Sequence, residues 1–458
     1  MPTTSAISIP SAAFVAYASR PRSEQRWVTV VEIALPQGTL YLGAAPFDRY
    51  ENRVRSIGQL SHEVSLDGMS VPGASVPITL ANNDRRIEQL LDGAYDARRA
   101  AVTIKRASPD LAASDWDPRF TGILKSWGYN TDGPDTVTLA CSADDHVLRN
   151  SWAPGIAVRK AEWGEGSYVM PDGVDGIYAP YLYGSHLSSG VASKQGFVPL
   201  ICVGQTGATG RYLACFGRLK AKTGTWKASD GSSVSGTLEY VSRGGKVFTT
   251  VNYTSGISAG LELRGDFDGY EGVGDGSGTL ISNPVRQLWH LLTLIYADWR
   301  NGSAWPALTA APIDTASWAA CADWCDRYKL EGSAYIGGTA DQQPAKLVIE
   351  RWMQSFPFRL HWNELGKLRM VNLLGATEHP GLPTSSSYRL SRESQSPTTT
   401  PRLEHPQDDS GLARQVSATH LYSAAENKSF GSLDVQDPSV IEKVVTNIRM
   451  DWSLSRAA

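Results

Sequence analysis

ITLANNDRRIEQLL (residues 78–91) and RFTGILKSWGYNTDGPDTVTLACSADD (residues 119–145) decide how this chain is read. In the first, Val76, Ile78 and Leu80 stand at alternate positions, then Asn82-Asn83-Asp84 intervenes, and Ile87, Leu90 and Leu91 follow at helical offsets. Alternation lays one side of a strand on a core, whereas offsets of three and four build one face of a helix. An Asn or Asp ahead of such a turn accepts the free amides of the first residues, so a capped helix is expected over 84–91. In the second stretch, 120–127 and 136–141 alternate again as strands. Working outward, 101–106 is a further strand, and 27–35 turns at Pro36-Gln37-Gly38 into 39–42 as a hairpin. These strands are expected to close one barrel by about residue 150, with sheet edges that a ring of subunits would pair. Residues 1–21, small, polar and proline-punctuated, are expected as an arm that orders against a neighbour.

The totals agree with a β-rich reading. At 458 residues the chain is too long for one ordinary core, and the length prior is about three domains. Hydrophobic residues at 41% and charged residues at 19% exclude global disorder. With 43 glycines and 25 prolines set against short apolar runs, many turns and strands are favoured over a helical bundle. A formal charge of −3, with basic and acidic residues interspersed, argues against nucleic-acid binding as the main role. No apolar span of transmembrane length appears, and no charged segment followed by a long apolar one opens the chain.

Downstream, 151–280 shifts to Gly, Ser and Tyr with β-branched runs, and strands are expected at 198–203, 212–219, 237–241, 246–253 and 261–263. Gly274 to Gly278 suits an exit linker. Asn283-Pro284 starts a helix with Leu288, Leu291, Leu292, Ile295 and Trp299 on one stripe. Asp314 or Thr315 caps a second, through Trp318, Cys321, Ala322 and Cys325. A third begins near Asp341 with Leu347, Val348, Trp352 and Phe356 buried, and ends at Pro357. A hairpin follows, 358–362 and 367–372, with Gly366 supplying the positive φ of its return turn. Residues 391–411 read as an exposed loop, 415–422 and 444–452 as strands.

Residues 78–145 resemble the tube-type β-barrel domain of tailed-bacteriophage tail-tip and baseplate hub proteins. YKLEGSAYIGGTADQQPAKLVIERWMQSFPFRLHWNELGKLRMVNLL (residues 328–374) resembles the hub domains of phage lambda's tail-tip host-specificity protein, with Gly366-Lys367-Leu368 in the hairpin turn. The two stretches follow the order in which hubs of long-tailed (siphophage-like) and contractile phages present their domains, and together touch about half of the chain. The middle unit resembles family members only loosely, through PYLYGSH and RYLACFGRLKA. The fold class expected is therefore mainly β with a smaller α/β part. It is multidomain, with tube-type β-barrel domains plus a β-rich insertion and a helix and hairpin domain. The boundaries expected are 1–150 (first tube-type barrel with its arm), 151–280 (β-rich middle domain), 281–376 (helix-rich α/β domain ending in the hairpin) and 377–458 (loop and strands of a second tube-type domain, incomplete at residue 458).

The resemblance implies a structural protein and not an enzyme. Such a hub forms a trimeric ring that closes the tail tube, joins the distal tail protein to the central fibre, encloses the tape measure protein and opens for DNA ejection. Genomic DNA would pass its lumen without specific binding, and the host envelope would be met indirectly. It would be made in the bacterial cytoplasm and end in the virion at the tail tip.

Reading for chemistry yields no catalytic, cofactor-binding or metal-binding residue. Cys202 and Cys215 flank a glycine-rich turn and Cys321 and Cys325 stand one helical turn apart, so four thiolates for an iron–sulfur cluster or zinc are conceivable. Some phage tail-tip hubs carry such clusters. Neither pair has C-x-x-C spacing, however, and a cysteine on an apolar helix face is commonly a small buried hydrophobe. The histidines, His62, His146, His186, His290, His361, His379, His405 and His420, are scattered without a metal-binding motif. Asp144-Asp145, Asp266-Asp268 and Asp408-Asp409 are adjacent or alternate acids. A glycosidase would need two carboxylates facing each other across a cleft, one with a raised pKa. The fourteen tryptophans and eighteen tyrosines allow a sugar-binding platform. Two alternatives thus stand beside the hub: a receptor- or carbohydrate-binding tip, with exposed aromatics clustered on 151–280, and a tail-associated cell-wall hydrolase.

Overall fold

The computed structural model describes residues 11–59, 74–92, 97–129, 135–145, 148, 152–153, 155–163, 168–186, 198–207, 209–222, 226–228, 233–234, 236–253, 262–271, 278–296, 312–338, 343–372, 415–423, 428–436, 445–449 and 453–456. The protein is mainly β, with several sheets and six described helices. It packs as two units: Met1–Arg149 with Pro312–Ala319 and Phe358–Val371, and Asn150–Ala311 with Ala320–Pro357 and Asn372–Ala458. No described helix is long and apolar enough to cross a membrane.

The first unit opens with α1 (Ala12–Ala18), capped by Ser11, whose Oγ accepts the Phe14 amide at 3.1 Å. Phe14 and Tyr17 are buried against Trp27, and the Tyr17 hydroxyl donates to Asp110 at 2.8 Å. The arm expected to await a neighbour is therefore anchored on its own chain from residue 11, because two aromatic rings there find a partner in Trp27. Residues 1–10 lie outside the described set.

Eight strands follow: β1 (Val28–Leu35), β2 (Gly38–Gly43), β3 (Glu51–Asn52), β4 (Val54–Ile57), β5 (Ser75–Ala81), β6 (Ala101–Ala107), β7 (Asp117–Tyr129) and β8 (Thr136–Ser142). They form one sheet in the order β3-β2-β1-β6-β7-β8-β5-β4. Between β5 and β6 lies α2 (Arg86–Asp92). Alternation works as expected: Val31, Ile33 and Leu35 of β1, Val76, Ile78 and Leu80 of β5, and Val137, Leu139 and Cys141 of β8 enter one core with Ile87 and Leu91 of α2. Each such side chain removed from water stabilises by about 1.5–3 kcal/mol.

The helix starts two residues later than expected, because Arg85 takes a left-handed backbone at φ +55°. The Asn82 side chain spans that turn, its Oδ1 accepting the amides of Ile87 at 3.0 Å and Glu88 at 3.3 Å. Replacing Asn82 by Ala leaves two helix-start amides without this partner inside the core. The expected loss is about 1–2 kcal/mol, read as a lower urea midpoint; an unchanged midpoint contradicts the assignment.

No closed hydrogen-bonded barrel forms among the described residues, which corrects the expectation of a closed tube-type domain. The sheet is an open ladder, yet its end strands β3 and β4 are successive in the chain and separated by Arg53 alone. The Arg53 amide donates to Gly43 O on β2 at 3.1 Å, and its carbonyl accepts the Ala81 amide of β5 at 2.7 Å. The two margins are drawn together at one residue, where β3 covers the end of β2 and β4 covers β5.

In the second unit come β9 (Trp152–Ala153), α3 (Lys160–Trp163), β10 (Tyr181–Tyr183), β11 (Ser185–His186), β12 (Val198–Thr206), β13 (Thr209–Phe216), β14 (Leu219–Lys222), β15 (Trp226–Ala228), β16 (Ser233–Val234), β17 (Gly236–Arg243), β18 (Lys246–Tyr253), β19 (Leu263–Gly265) and β20 (Phe267–Tyr270). Seven build a sheet ordered β16-β15-β19-β12-β13-β18-β17, and β11-β20-β14 form another. Along the chain then follow α4 (Pro284–Tyr296), α5 (Thr315–Arg327, whose residues to Ala319 belong to the first unit), β21 (Leu330–Ile336), β22 (Gln343–Pro344) and α6 (Ala345–Ser355). Asn283 caps α4 as expected, its Oδ1 accepting Val285 N at 3.0 Å and Arg286 N at 3.3 Å. The helix is more than a stripe: Gln287, His290 and Thr293 are buried beside Leu288, Leu291 and Leu292, while Trp299 lies outside the described residues. On α6, Val348, Ile349, Trp352 and Met353 face the core; Leu347, expected inside, falls off that stripe and is exposed.

Strands β23 (Phe358–Trp362) and β24 (Leu368–Asn372) make the expected hairpin, packed in the first unit. Asn363 Oδ1 accepts the amides of Leu365 at 3.0 Å and Lys367 at 2.9 Å, and Gly366 takes φ +67°. A Cβ there would meet Thr121 O of β7 at 2.9 Å. Gly366→Val combines left-handed strain with that clash and is expected to cost about 1–3 kcal/mol, with Gly366→Asn less harmful. Equal melting temperatures for the two variants would refute this. The remaining strands are β25 (Gln415–Ser423), β26 (Lys428–Gln436), β27 (Val445–Arg449) and β28 (Ser453–Arg456). Three form a sheet ordered β26-β25-β27, and β28 pairs with β21.

Candidate functional site

The seam at Arg53 gathers four charged side chains of the first unit. Strand β3 places Glu51, the linking residue is Arg53, and the turn before α2 places Asp84. The Arg53 guanidinium donates to Asp84 at 2.9 and 2.6 Å and to Glu51 at 2.7 Å, and Arg86 reaches Glu51 at 2.9 Å. A shallow depression of about 370 Å³ lies over it, lined by Glu51, Asn52, Arg53, Arg55, Ala81, Asn83 and Asp84. Hydrogen bonds from Arg53 and from the Arg86 amide hold the Asp84 carboxyl well below the usual range. A carboxylate so held is ionised at neutral pH and is no general acid. The arrangement locks the sheet margins and offers a polar contact surface.

On the outer face of β1, β2 and β6, Tyr41, Phe47, Tyr50 and Trp116 pack ring against ring. Burial alone would raise the Glu32 carboxyl there, but hydrogen bonds from Tyr50 at 2.5 Å and Lys105 at 2.9 Å outweigh it and hold the carboxyl below its usual range.

Two acids of the sequence pairs sit in polar contacts of their own. Asp144 faces Arg99 at 3.8 Å, and Asp268 accepts the Ser185 hydroxyl at 2.7 Å. Asp408 and Asp409 lie outside the described residues. Asp117, at the start of β7, was not singled out by sequence: burial pushes its carboxyl up, and Glu364 adds to the rise. Arg119 nonetheless grips it at 2.6 Å, which marks an ion pair at a sheet end and not a free acid. The sequence signal, an acid and an arginine two residues apart on one strand face, was present in DPRF.

Among the described residues no three His, Cys, Asp or Glu side chains stand together as a metal site. Cys215, Cys321 and Cys325 are buried and Cys202 is half-buried. Burial raises all four thiols, Cys321 to about 12, so they pack as small apolar groups. His290 is fully enclosed, with Nδ1 at 2.8 Å from the Tyr183 hydroxyl, and His186 Nε2 lies 2.9 Å from Tyr183 O. His62, His146, His379 and His405 lie outside the described residues.

The aromatic residues of 151–280 are mostly interior. Tyr181, Tyr183, Tyr212, Tyr253 and Tyr270 are buried, several edge to face, and Trp163 packs on Phe248. Among the described residues of that stretch, Tyr240 is the exposed aromatic, at 40%. The clustered platform that a sugar-binding tip requires is not formed by these residues.

No protein-family model matches the chain, and no curated protein matches it. Among solved structures, a chain in the virion of a native gene transfer agent particle is similar over 56% of this chain and 84% of its own, at 16% identity and a TM-score of 0.24. The PlzA protein of Borreliella burgdorferi, crystallised with c-di-GMP, is similar over 53% of this chain and 93% of its own, at 7% identity and a TM-score of 0.14. Superposition this loose places neither fold nor function.

Proposed function

We propose that this chain is a structural hub of a phage or phage-like tail tip, acting without chemistry of its own. The observation that carries the reading is the stretch 78–145, whose sequence resembles the tube-type domain of such hubs and whose elements run in the corresponding order: β5, the Asn82 turn, α2, then β6, β7 and β8. The hairpin around Gly366-Lys367-Leu368 supports it from a second stretch. In this reading three copies form a ring around the tail axis and join the distal tail protein to the central fibre. The tape measure protein is held within, and a shift of the ring or its plug upon adsorption lets DNA pass. With its sheet margins drawn together at Arg53, the first unit would meet its neighbours through sheet faces and loop tips. A lumen wall without strong positive charge lets DNA through, since a basic wall would retain it by counterion release.

The test is co-expression of the full chain with the distal tail and tape measure proteins of its particle, followed by native mass measurement. A complex with three copies of this chain supports the hub. A stable chain that ignores both partners and degrades peptidoglycan would replace it with the hydrolase.

A further inference from the structure

Strand β17 ends the seven-stranded sheet, and among the described residues no strand pairs with its outer side. On its inner side it pairs with β18 in unbroken register from Gly236↔Tyr253 to Arg243↔Lys246. The two join through Gly244 and Gly245, at φ +54° and +75°, the left-handed pair of a two-residue type I′ turn. Such a turn makes Arg243 and Lys246 the closing hydrogen-bonded pair, and bonded pairs alternate along an antiparallel ladder. Thr237, Glu239, Val241 and Arg243 therefore direct their backbone groups to β18, while Leu238, Tyr240 and Ser242 turn theirs outward.

Exposed edges are ordinarily blunted by proline, lysine, a bulge or shortness. GTLEYVSR runs for eight residues without proline, lysine or register shift, its two charges, Glu239 and Arg243, are of opposite sign, and Thr, Tyr and Val favour extended chain. In the first unit the sheet margins meet at Arg53; here no described strand continues the sheet beyond β17.

We propose that β17 is an interaction surface whose occupant is β17 of a second copy of this chain, the two running antiparallel about a two-fold axis through Val241. Charge selects the register. The outward groups of one strand must face outward groups of the other, so the axis falls on a residue and not between two; on Glu239 it would set two like carboxylates against each other, which leaves Tyr240 and Val241 near the middle of the strand. An axis at Tyr240 sets Glu239 against Val241 and Arg243 against Thr237. An axis at Val241 sets Tyr240 against Ser242 and places Glu239 against Arg243 twice, at non-bonded positions where side chains approach closest. Glu239, which accepts a hydrogen bond from Asn252 of β18, and Arg243, which lies over the Trp163 ring, share that face of the sheet. The contact is self-complementary and closes at two copies. It is a property of the free chain and does not rest on the hub reading.

Sedimentation velocity on the full chain tests it. Wild type is expected to be a dimer, Glu239→Arg to weaken it by at least about tenfold, and Glu239→Arg with Arg243→Glu to restore it. Arg243→Glu serves as the single variant if Glu239→Arg fails to fold, with circular dichroism as the check. A monomeric wild type, or a dimer indifferent to these charges, overturns the proposal. A trimer unmoved by the charge exchange overturns it as well, while leaving the hub reading standing.

Discussion

Lowering the pH from 7 to 4.5 should strip about 5 kcal/mol from the stability of the second unit. The cause is two imidazoles held neutral in one core: burial pushes His186 down to about 4 and His290 down to about 3, from an ordinary 6.5. Above 6.5 both are neutral whether the chain is folded or not, and nothing is lost. As the pH falls below 6.5 the unfolded chain takes up protons that the folded core refuses, so stability declines steadily until the folded values are reached. Tyr183 links the pair, with its hydroxyl on His290 and its carbonyl on His186. Urea midpoints measured from pH 7 to 4.5 should fall steeply in the wild type and about half as steeply in His290→Gln. Parallel curves for the two would contradict the assignment.

Trp352→Ala should cost the second unit about 3–5 kcal/mol. The indole of Trp352 is wholly buried on α6, its ring 5.2 Å from Phe356 and its Nε1 donating to Pro284 O at 3.1 Å. That bond fastens α6 to the first residue of α4, so truncation leaves both a cavity and a carbonyl without this donor. Trp352→Phe keeps most of the ring and should cost about 1–2 kcal/mol. Calorimetric melts of the two variants measure the ordering; a Phe variant as damaged as the Ala variant would mean that the Nε1 bond, and not packing, dominates.

What was legible in the sequence is what local chemistry determines. The β1–β2 hairpin, the caps at Asn82 and Asn283 and the positive φ of Gly366 each follow from a few neighbouring residues. Less legible was whatever depends on distant partners. Residues 51–57, ENRVRSI, carry too few apolar side chains to announce two strands, and only β2 and β5 make them so. The burial of His186 and His290 depends on the sheets and helix that enclose them. The anchoring of α1 depends on Trp27, beyond the turn at Pro21. No catalytic constellation was read from the sequence, and Asp117, whose carboxyl burial raises, is gripped by Arg119.

The proposed hub places this chain in a ring at the end of a tail. Electron cryomicroscopy of particles carrying a tagged copy tests it most directly. The hub account predicts tag density arranged around the tail axis where the tube closes. Density along a fibre, on a lytic needle, or nowhere on the particle would contradict it.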